Sequence, residues 1–520
     1  MSLEYSQATG YSQALASAYR DFFAGFPSYG RTIDLLREQE FGRLDEHHHV
    51  YLDYTGGGLY PASLVQEHAA LLQAAVLGNP HSQNPASLAS THLVEQARAD
   101  VLRYFRADPD DYLVIFTSNA SGALKLLGES YPFAPGGRFV LVADNHNSVH
   151  GIREFARRGG AAISYIPLDP QSLRAPDVEP YLKQPSADGP SLFAFPAQSN
   201  FSGVQHPLAW VELARSYGYD VLLDAAAYVP TNRLDLRPEL VEGLSQASPL
   251  SSALSLSKGA QARRVQPDFV PISFYKMFGY PTGVGALLAR RQALARLRRP
   301  WFAGGTVRLV STKADLHILA PGHEAFEEGT VNYLNLPVIS AGLRLLDSIG
   351  IETIHDRVVA LMSYLLAALQ TLCHSNGAPI VHIYGPLDAE QRGATIAFNL
   401  VDSEGKHFPY QQIEAEASAA NISIRAGCFC NPGAGEYSLT HTAEEVRRCV
   451  QEAIPGGEEV GPTAAFDLQR FHQCIGDKPT GAVRVSFGLA SNFADAYRCL
   501  GFLAGFRDRS IGHDFTERGC

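Results

Sequence analysis

A single lysine, Lys276, stands between an apolar run and a turn rich in glycine and proline. The run before it is DFVPI (268–272), and the run after it is GVGALL (283–288). Desolvation in such an interior disfavours the ammonium form and lowers the pKa of the amine. A partly neutral amine can form a Schiff base with a carbonyl cofactor, of which pyridoxal phosphate (PLP) is the common case. Taken alone, the pattern is more typical of a lysine that extends from a strand end to solvent.

An acid at the end of a second apolar run supplies a partner for such a cofactor. The run YDVLLDAAA (219–227) places Asp224 after a predicted buried strand and before three alanines. An aspartate at the carboxyl end of a strand can pair with a protonated pyridine nitrogen, and a small side chain such as Ala226 lets a flat ring lie close. Lysine, acid and ring-sized space together predict a PLP site.

Seven motifs follow one another along the chain in a fixed order. They are GNPHSQNPAS (78–87), VIFTSNAS (114–121), PAQSNFSGV (196–204), LLDAAAYV (222–229), DFVPISFYKMFGYPTGVGALL (268–288), RAGCFCNPGA (425–434) and PTGAVRVSFG (479–488). With these motifs the chain resembles the class V aminotransferase and cysteine desulfurase group of fold-type I PLP enzymes. The resemblance is closest to the desulfurase-like part of the molybdenum cofactor sulfurases, and it covers roughly residues 50–505.

The phosphate of PLP needs backbone N–H groups and hydroxyls at a helix start, where the helix dipole favours an anion. The run TSNASG (117–122) lies between a predicted strand and a predicted helix, although alone it is more typical of an ordinary helix cap. The resemblance implies that Ala120 and Ser121 hold the phosphate, together with Ser273 and Tyr275. It also implies that Thr306 reaches the phosphate of a neighbouring subunit, which would make the site dimeric.

Other positions are matched to the ring of the cofactor. The resemblance implies that Asn200 hydrogen-bonds the phenolic oxygen of PLP. Ala227 stands where desulfurases generally have a second polar partner for that oxygen, so one bond is lost or replaced by water. His146 matches the histidine that stacks on the ring, but Asn145 before it stands where desulfurases usually have an acid. An ordinary loop histidine therefore stays an alternative for His146.

Two arginines and one cysteine set the expected reaction. The resemblance implies that Arg425 and Arg484 hold the substrate, since a guanidinium fork binds an α-carboxylate bidentately. Cys428 and Cys430 lie in a glycine-rich loop, and Cys430 falls on the nucleophile of desulfurases. In an arbitrary protein these arginines and cysteines would be structural, and the surrounding PLP motifs favour the catalytic interpretation for Cys430.

The predicted reaction takes sulfur from L-cysteine. Lys276 removes the Cα proton, Asp224 keeps the ring nitrogen protonated, and the Cys430 thiolate attacks the substrate sulfur. The products are alanine and a persulfide on Cys430. Known molybdenum cofactor sulfurases continue into a C-terminal domain that receives the cofactor. We therefore expect delivery from this chain to a separate sulfur acceptor, either molybdenum cofactor or a carrier protein.

Two other classes of function stay open. The first is a fold-type I reaction without a catalytic thiol, such as that of a selenocysteine lyase, an epimerase, a kynureninase-like lyase or an aminotransferase. It predicts that Cys430→Ser keeps activity. The second is a degenerate sulfur-relay or scaffold protein, which predicts no PLP absorbance and which the intact Lys276, Asp224 and Asn200 argue against.

The elements that must position these residues alternate along the chain. Short apolar runs separated by helical lengths predict an α/β fold with buried strands at 112–116, 139–143, 192–197, 221–225, 269–272 and 285–289. The resemblance implies a fold-type I architecture with a mostly parallel, seven-stranded type of sheet. The predicted divisions are a helical arm (1–50), a PLP-binding large domain (51–310) with an insertion at about 237–265, a smaller C-terminal α+β domain (311–508) and a tail (509–520).

Composition restricts partners and compartment. The chain has 520 residues, 46% hydrophobic and 18% charged, with a formal net charge of −11. This net negative charge gives no sign of a basic surface that would bind nucleic acid or an anionic membrane. The N-terminus has no signal-peptide pattern and no apolar run is long enough to span a bilayer, which predicts a cytoplasmic protein with its seven cysteines reduced. The homodimer is expected only from the resemblance, through Thr306. The run His47-His48-His49 predicts a turn, and no metal site is expected.

Overall fold

The computed structural model describes residues 2–183, 189–237, 265–454, 465–476 and 478–511. Apart from its outermost residues, the insertion expected at 237–265 lies outside this described part. The strands are β1 (Val50–Tyr51), β2 (Tyr112–Thr117), β3 (Arg138–Val142), β4 (Ala162–Ile166), β5 (Leu192–Pro196), β6 (Asp220–Asp224), β7 (Phe269–Ser273), β8 (Gly285–Arg290), β9 (Val307–Ser311), β10 (Leu316–Leu319), β11 (Val381–Tyr384), β12 (Thr395–Leu400), β13 (Ile422–Ser423), β14 (Arg425–Gly427) and β15 (Ala482–Ser486).

Helices surround these strands. They are α1 (Ser2–Gly25), α2 (Thr32–Phe41), α3 (Arg43–Glu46), α4 (Ala62–Ala74), α5 (Pro85–Tyr104), α6 (Ala120–Ser130), α7 (Asn147–His150), α8 (Ile152–Gly159), α9 (Glu179–Leu182), α10 (Trp210–Ser216), α11 (Phe274–Phe278), α12 (Arg291–Leu294), α13 (Pro337–Ile349), α14 (Ile351–Leu369), α15 (Tyr410–Ala419), α16 (Pro432–Ser438), α17 (Ala443–Ala453), α18 (Leu468–Ile475) and α19 (Phe493–Ala504). A short 3₁₀ helix covers Gly322–Phe326.

The main sheet has seven strands in the order β2-β8-β7-β6-β5-β3-β4. Strand β8 runs antiparallel to β2 and to β7, and the remaining neighbours are parallel. The central strands are buried along their whole length, as the continuous apolar runs in the sequence require. This confirms the predicted α/β class and the mostly parallel seven-stranded sheet.

The six strands predicted from apolar runs are all present, with ends within one residue of the prediction. Strand β4 was not predicted, because it lies at the edge of the sheet and most of its residues keep some solvent exposure. The antiparallel hairpin of β9 and β10 was also not predicted, and it too is largely exposed. The segment predicted as a helical arm contains the three helices α1, α2 and α3.

A second sheet of four strands, in the order β11-β12-β15-β14, forms the centre of the C-terminal part of the chain. It is antiparallel throughout. The N-terminal segment joins this part, because β1 pairs in parallel with β13 and Phe22 of α1 packs against Phe493 of α19 with ring centroids 4.7 Å apart. Residues near the amino end of the chain and residues of its C-terminal part thus share one apolar core.

The cysteines correct one prediction. Cys449 on α17 and Cys474 on α18 form a disulfide, with Cα atoms 5.3 Å apart, so the expectation of reduced thiols is wrong for this pair. The two residues are 25 positions apart in the chain and meet only because the two helices pack side by side. Among the described residues the free cysteines are Cys373, Cys428, Cys430 and Cys499.

Two further features bear on the partners expected from the sequence. None of the helices in the described ranges combines the length and the apolar character needed to cross a bilayer. The run His47-His48-His49 follows α3, and His49 Nε2 contacts the hydroxyl of Ser423 at 2.8 Å. Within the described ranges, no three His, Cys, Asp or Glu side chains are grouped closely enough to hold a metal ion.

Candidate active site

A cleft of about 140 Å³ opens at the carboxyl ends of the central strands of the main sheet. This edge is where ligands bind on open α/β sheets. The structure brings nine of the predicted site residues together in its lining: Ala120, Ser121, His146, Asn200, Asp224, Ala226, Ser273, Tyr275 and Lys276. The arginines, Cys430 and Thr306 are placed differently and are described separately below.

One end of the cleft is the start of α6. Asn119 caps this 11-residue helix by accepting the Gly122 N–H at 2.9 Å. The Ala120 N–H donates to the Ser273 hydroxyl at 2.9 Å, which ties the helix start to the end of β7. The Ser121 hydroxyl lies 2.6 Å from that of Ser148. This end therefore places serine hydroxyls at the positive end of a helix dipole, which favours an anion.

Lys276 lies within α11, a helix of five residues that begins directly after β7. Gly279 ends this helix with φ at 78°, and an added Cβ there would lie 2.2 Å from the carbonyl carbon of Leu59. The Gly58 N–H donates to the Tyr275 carbonyl at 3.0 Å, so an N-terminal turn closes over the lysine segment. Desolvation lowers the pKa of the Lys276 amine, and the nearby Asp224 carboxylate acts in the opposite direction.

Asp224 ends β6 and is 8% exposed. Its carboxylate accepts the Ala226 N–H at 3.0 Å, and among the described residues it forms no ion pair. His146 also lines the cleft, and its Nδ1 accepts the Ser148 N–H at 3.1 Å. Burial lowers the pKa of the His146 imidazole, with Asp224 acting against this change and Lys276 adding to it. His146 is therefore in the same electrostatic environment as the lysine and the acid.

Cys430 is an exposed residue of the loop between β14 and α16, and it is close enough to Lys276 to act against the desolvation that lowers the pKa of that amine. Phe429 and Cys430 both have φ at 54°, the left-handed region that costs a non-glycine residue about 1–3 kcal/mol. Hydrogen bonds hold this conformation. The Asn147 N–H donates to the Cys430 carbonyl at 2.8 Å, and Asn200 Nδ2 donates to the Phe429 carbonyl at 2.7 Å.

Asn431, the next residue, is fully buried and links the loop to the sheet. Its Nδ2 donates to the Asp144 carbonyl at 2.7 Å and to Asn200 Oδ1 at 2.8 Å, while its Oδ1 accepts the Ala434 N–H as the cap of α16. Asp144 is fixed in turn by a buried contact of 2.9 Å with Nε2 of His206. The thiol loop is thus anchored by side-chain amides, and Asn200 is one of them.

The two predicted substrate arginines share one carboxylate, that of Asp53. Asp53 Oδ1 accepts from Arg484 Nη2 at 2.8 Å, and Asp53 Oδ2 accepts from Arg425 Nη2 at 2.6 Å. The Arg484 side chain is 3% exposed, whereas that of Arg425 is 51% exposed. Arg484 also donates through Nη1 to the Asn200 carbonyl at 2.8 Å and lies 4.7 Å from the ring centroid of Phe429. Its Nε is buried, and no residue of the described part of the chain accepts a hydrogen bond from it.

Thr306 does not line the cleft of its own chain. It is fully buried in a turn at the base of the exposed hairpin, where its hydroxyl accepts the Ala303 N–H and donates to the Ala303 carbonyl, both at 2.9 Å. Its predicted role toward a neighbouring subunit stays a prediction.

Sequence reasoning missed two residues of this site. Asp53 pairs with an arginine 431 positions later, and Gln198 lines the cleft beside Ala227. Asp53 follows β1, and its position after a short apolar run resembled many other strand ends. Gln198 lies within a motif that was noted for Asn200, and its position two residues before Asn200 was the available signal.

Comparisons with known proteins agree with this geometry. The family model described as Aminotransferase class-V matches residues 50–239 and 253–497. The molybdenum cofactor sulfurase of Bos taurus is 37% identical over 503 residues, covering 92% of this chain and 52% of the bovine protein. The protein of that name from Arabidopsis thaliana is 35% identical over 518 residues, covering 94% of this chain and 60% of the plant protein. The chain thus spans little more than half the length of these relatives.

Solved structures share the fold. A cysteine desulfurase from Thermococcus onnurineus NA1, in an apo structure, superposes with a TM-score of 0.69 at 22% identity, covering 91% of this chain and 97% of that chain. A cysteine desulfurase from Escherichia coli superposes with a TM-score of 0.66 at 19% identity, with the same coverage.

Proposed function

The chain belongs to the class V aminotransferase family, and from this premise we propose that it is a PLP-dependent cysteine desulfurase that takes sulfur from L-cysteine onto Cys430. The observation that carries the proposal is the position of the Cys430 loop. Asn200 lines the cleft with Lys276 and donates to the carbonyl of Phe429, the residue before Cys430. One amide thus touches both the cleft and the thiol loop. The relatives are named molybdenum cofactor sulfurases, and this name also supports sulfur chemistry.

The residues present fit PLP. Asp224 is a buried carboxylate at the cleft without an ion pair among the described residues, so it can accept the N–H of a pyridinium ring. The start of α6 offers N–H groups and hydroxyls for a phosphate. Lys276 supplies the amine that would hold the carbonyl carbon of the cofactor. When bound, PLP supplies an electron sink for the pair released when an amino acid loses its Cα proton.

The side chains of the chain itself divide the work of the reaction. Desolvation favours the neutral Lys276 amine, which can accept the Cα proton of the substrate. Asp224 keeps a proton on the ring nitrogen. Arg484 orients the substrate carboxylate, since its buried Nε has no hydrogen-bond partner among the described residues and can still donate.

The sulfur step belongs to Cys430. Its thiolate attacks the Sγ of the substrate, a new S–S bond forms, and the Cβ–Sγ bond breaks. The electron pair of the broken bond stays with the carbon skeleton, which takes a proton and leaves as alanine. The exposure of Cys430 leaves the resulting persulfide open to an acceptor.

A homodimer is part of the proposal, and the exposed hairpin supports it. Leu309 on β9 and Ile318 on β10 are 50% and 53% exposed, and Trp301 before the hairpin is 52% exposed. Exposed apolar residues grouped on one element are typical of a protein interface. Thr306 lies at the base of this hairpin, where a neighbouring cleft would meet it. Sedimentation of the purified protein measures the assembly, and a monomer at micromolar concentration would contradict it.

The acceptor and the compartment are further parts of the proposal. We expect molybdenum cofactor, or a carrier protein, to take the sulfur in a cytoplasmic setting. The names of the relatives support the first acceptor, and transfer of labelled sulfur from L-cysteine to isolated molybdenum cofactor tests it. A cytoplasmic setting predicts that the Cys449–Cys474 bond is dispensable, which is tested by measuring activity with and without a reductant.

The experiment for the whole proposal compares the wild-type protein with Cys430→Ser and with Cys428→Ser as the matched control. PLP absorbance, alanine release from L-cysteine and persulfide on the protein are measured in each. We expect PLP in all three proteins, and loss of persulfide and of alanine turnover in Cys430→Ser alone. Alanine formation by Cys430→Ser at the wild-type rate would point instead to a family reaction without a catalytic thiol.

A further inference from the structure

The cleft has a gap in its polar lining at Ala227. The phenolic oxygen of PLP becomes anionic in the bound cofactor, and two polar partners are expected for it, at 200 and 227. At position 227 the side chain is a methyl group. At position 200, Nδ2 donates to the Phe429 carbonyl and Oδ1 accepts from Asn431, so among the described residues this amide keeps one hydrogen for a ligand.

Gln198 stands at this gap. It lines the cleft beside Ala227 and Lys276 and is 4% exposed. Its Nε2 donates to the backbone carbonyl of Ala227 at 3.0 Å, and its Oε1 accepts from Gln205 Nε2 at 3.0 Å. These two bonds decide which end of the amide faces which neighbour, because a carbonyl oxygen can only accept and an NH₂ group can only donate. The nitrogen of Gln198 therefore lies on the side of Ala227.

The orientation of Gln198 is fixed from behind. Gln205 Nε2 also contacts Asn232 Oδ1 at 3.2 Å, and Asn232 is anchored through its own Nδ2 to the Tyr228 carbonyl at 3.0 Å. Gly393 packs against the other side, where an added Cβ would fall 1.9 Å from Gln198 Oε1. The amide chain and the glycine together leave the Gln198 side chain little freedom to turn.

One hydrogen of this amide is free for a ligand. An NH₂ group carries two donors, and within the described ranges Gln198 Nε2 makes a single hydrogen bond, to Ala227. Buried donors are seldom left unpaired in native structures, so a partner in the cleft is expected.

We propose that Gln198 supplies the hydrogen bond to the phenolic oxygen of PLP that Ala227 cannot make. The inference rests on the proposed function only in requiring PLP in the cleft. It makes Gln198 a cofactor-positioning residue. The hydrogen-bond donor that is missing at position 227 is replaced by Gln198, which follows the neighbouring strand β5. In this chain Gln198 would hold the oxygen in place of a residue at 227, beside the donor that Asn200 keeps, and Asn200 also secures the thiol loop.

The test is a pH titration of the visible absorbance of the bound cofactor in wild type and Gln198→Met. Methionine keeps the length of the side chain and cannot donate. An anionic oxygen that loses a donor holds a shared proton more tightly, so the midpoint of the titration should rise by about one pH unit. The affinity of the PLP-free protein for added PLP should fall about tenfold in the same variant. Neither measurement depends on turnover.

Two further variants make the result specific. Gln96→Met, on the exposed face of α5, is the matched control and should leave both values unchanged. Adding Ala227→Gln to Gln198→Met should return the midpoint toward that of wild type, since a donor is restored at the neighbouring position. Should Gln198→Met fail to fold, Gln198→Glu, which keeps the shape and donates nothing when ionised, is expected to raise the midpoint as well.

The outcomes separate the inference from the proposed function. A wild-type protein that binds no PLP overturns the proposed function. A wild type that binds PLP, with unchanged midpoint and affinity in a folded Gln198→Met or Gln198→Glu, overturns the role of Gln198 and leaves the desulfurase proposal intact.

Discussion

The two sides of the candidate site, called its walls below, are built in different ways. The wall with Lys276 and Asp224 consists of strand ends and helix starts of a sheet that is buried along its central strands. The wall with Cys430 is a loop with two residues in left-handed conformation, held by a few hydrogen bonds from Asn147, Asn200 and Asn431.

The contrast matches what each wall has to do. A group that positions a ring must not move, and regular elements give it that rigidity. A thiol that takes sulfur from one molecule and gives it to another must reach both, and a tethered loop allows this. The predictions below test this contrast, beginning with the largest effect.

The largest loss of activity is expected at Lys276, in the rigid wall. Lys276→Ala removes the proposed base and the attachment point of PLP, and alanine release should fall by about 10⁴-fold. The thiol wall should be unaffected, so Cys430 should react with an alkylating reagent at the wild-type rate. Measuring both rates on one preparation tests whether the two walls are independent. A large change in thiol reactivity would break the distinction between them.

The carboxylate of Asp53, which accepts hydrogen bonds from both arginines, should matter for stability. Asp53→Asn leaves the buried guanidinium of Arg484 without its charge partner, and the free energy of unfolding should fall by about 4 kcal/mol. The Michaelis constant for the amino acid should rise as well, because Arg484 loses its fixed orientation. Urea unfolding and steady-state kinetics measure the two effects. Glu404→Gln, an exposed acid in a loop, is the control and should change neither.

His150, the last residue of α7, should make the stability of the protein sensitive to acid. Burial lowers the pKa of this histidine to about 4, below its ordinary 6.5. Between these values the unfolded chain binds a proton that the folded chain does not. The group therefore makes stability fall as pH decreases, by about 3 kcal/mol once the pH is below 4. His150→Leu should lose less stability than wild type between pH 7 and pH 4. Parallel unfolding curves for the two proteins over that range would contradict this.

A smaller effect should distinguish the tethering of the Cys430 loop from the binding of PLP. Asn431→Ala removes the cap of α16 and the bonds to Asp144 and Asn200, costing about 1–2 kcal/mol of stability. Persulfide formation should slow while the visible spectrum of PLP stays the same. Asn492→Ala, which removes the cap of the distant α19, should cost similar stability without slowing the sulfur step. Equal slowing in both variants would show that general loosening, not the tether, is responsible.

The sequence was most informative where chemistry and local pattern coincide. Apolar runs located six strands of the main sheet, and the residues at their ends, such as Lys276, Asp224 and Ser273, meet in the cleft as predicted. Parallel strands place their carboxyl ends at one edge, so local assignments were enough to bring these residues together.

Interactions between distant segments could not be read in this way. The pairing of Asp53 with Arg484, the disulfide of Cys449 and the bond from Gln198 to Ala227 all depend on how separate elements pack. Strand β4 was missed because its exposed edge position removes the apolar pattern. The resemblance to desulfurases supplied the roles of Cys430 and the arginines, but it gave no sign that Asp53 already holds both guanidinium groups.

The packing of Phe22 against Phe493 has a consequence for how the chain is made. Phe22, near the amino end, finds its apolar partners among residues translated much later, on α19 and β15. All seven strands of the main sheet precede residue 291, so they can pair before those residues are made. The arm must wait with its aromatic side chains uncovered until α19 emerges. On the nascent chain, therefore, the arm is the segment that a chaperone would need to shield.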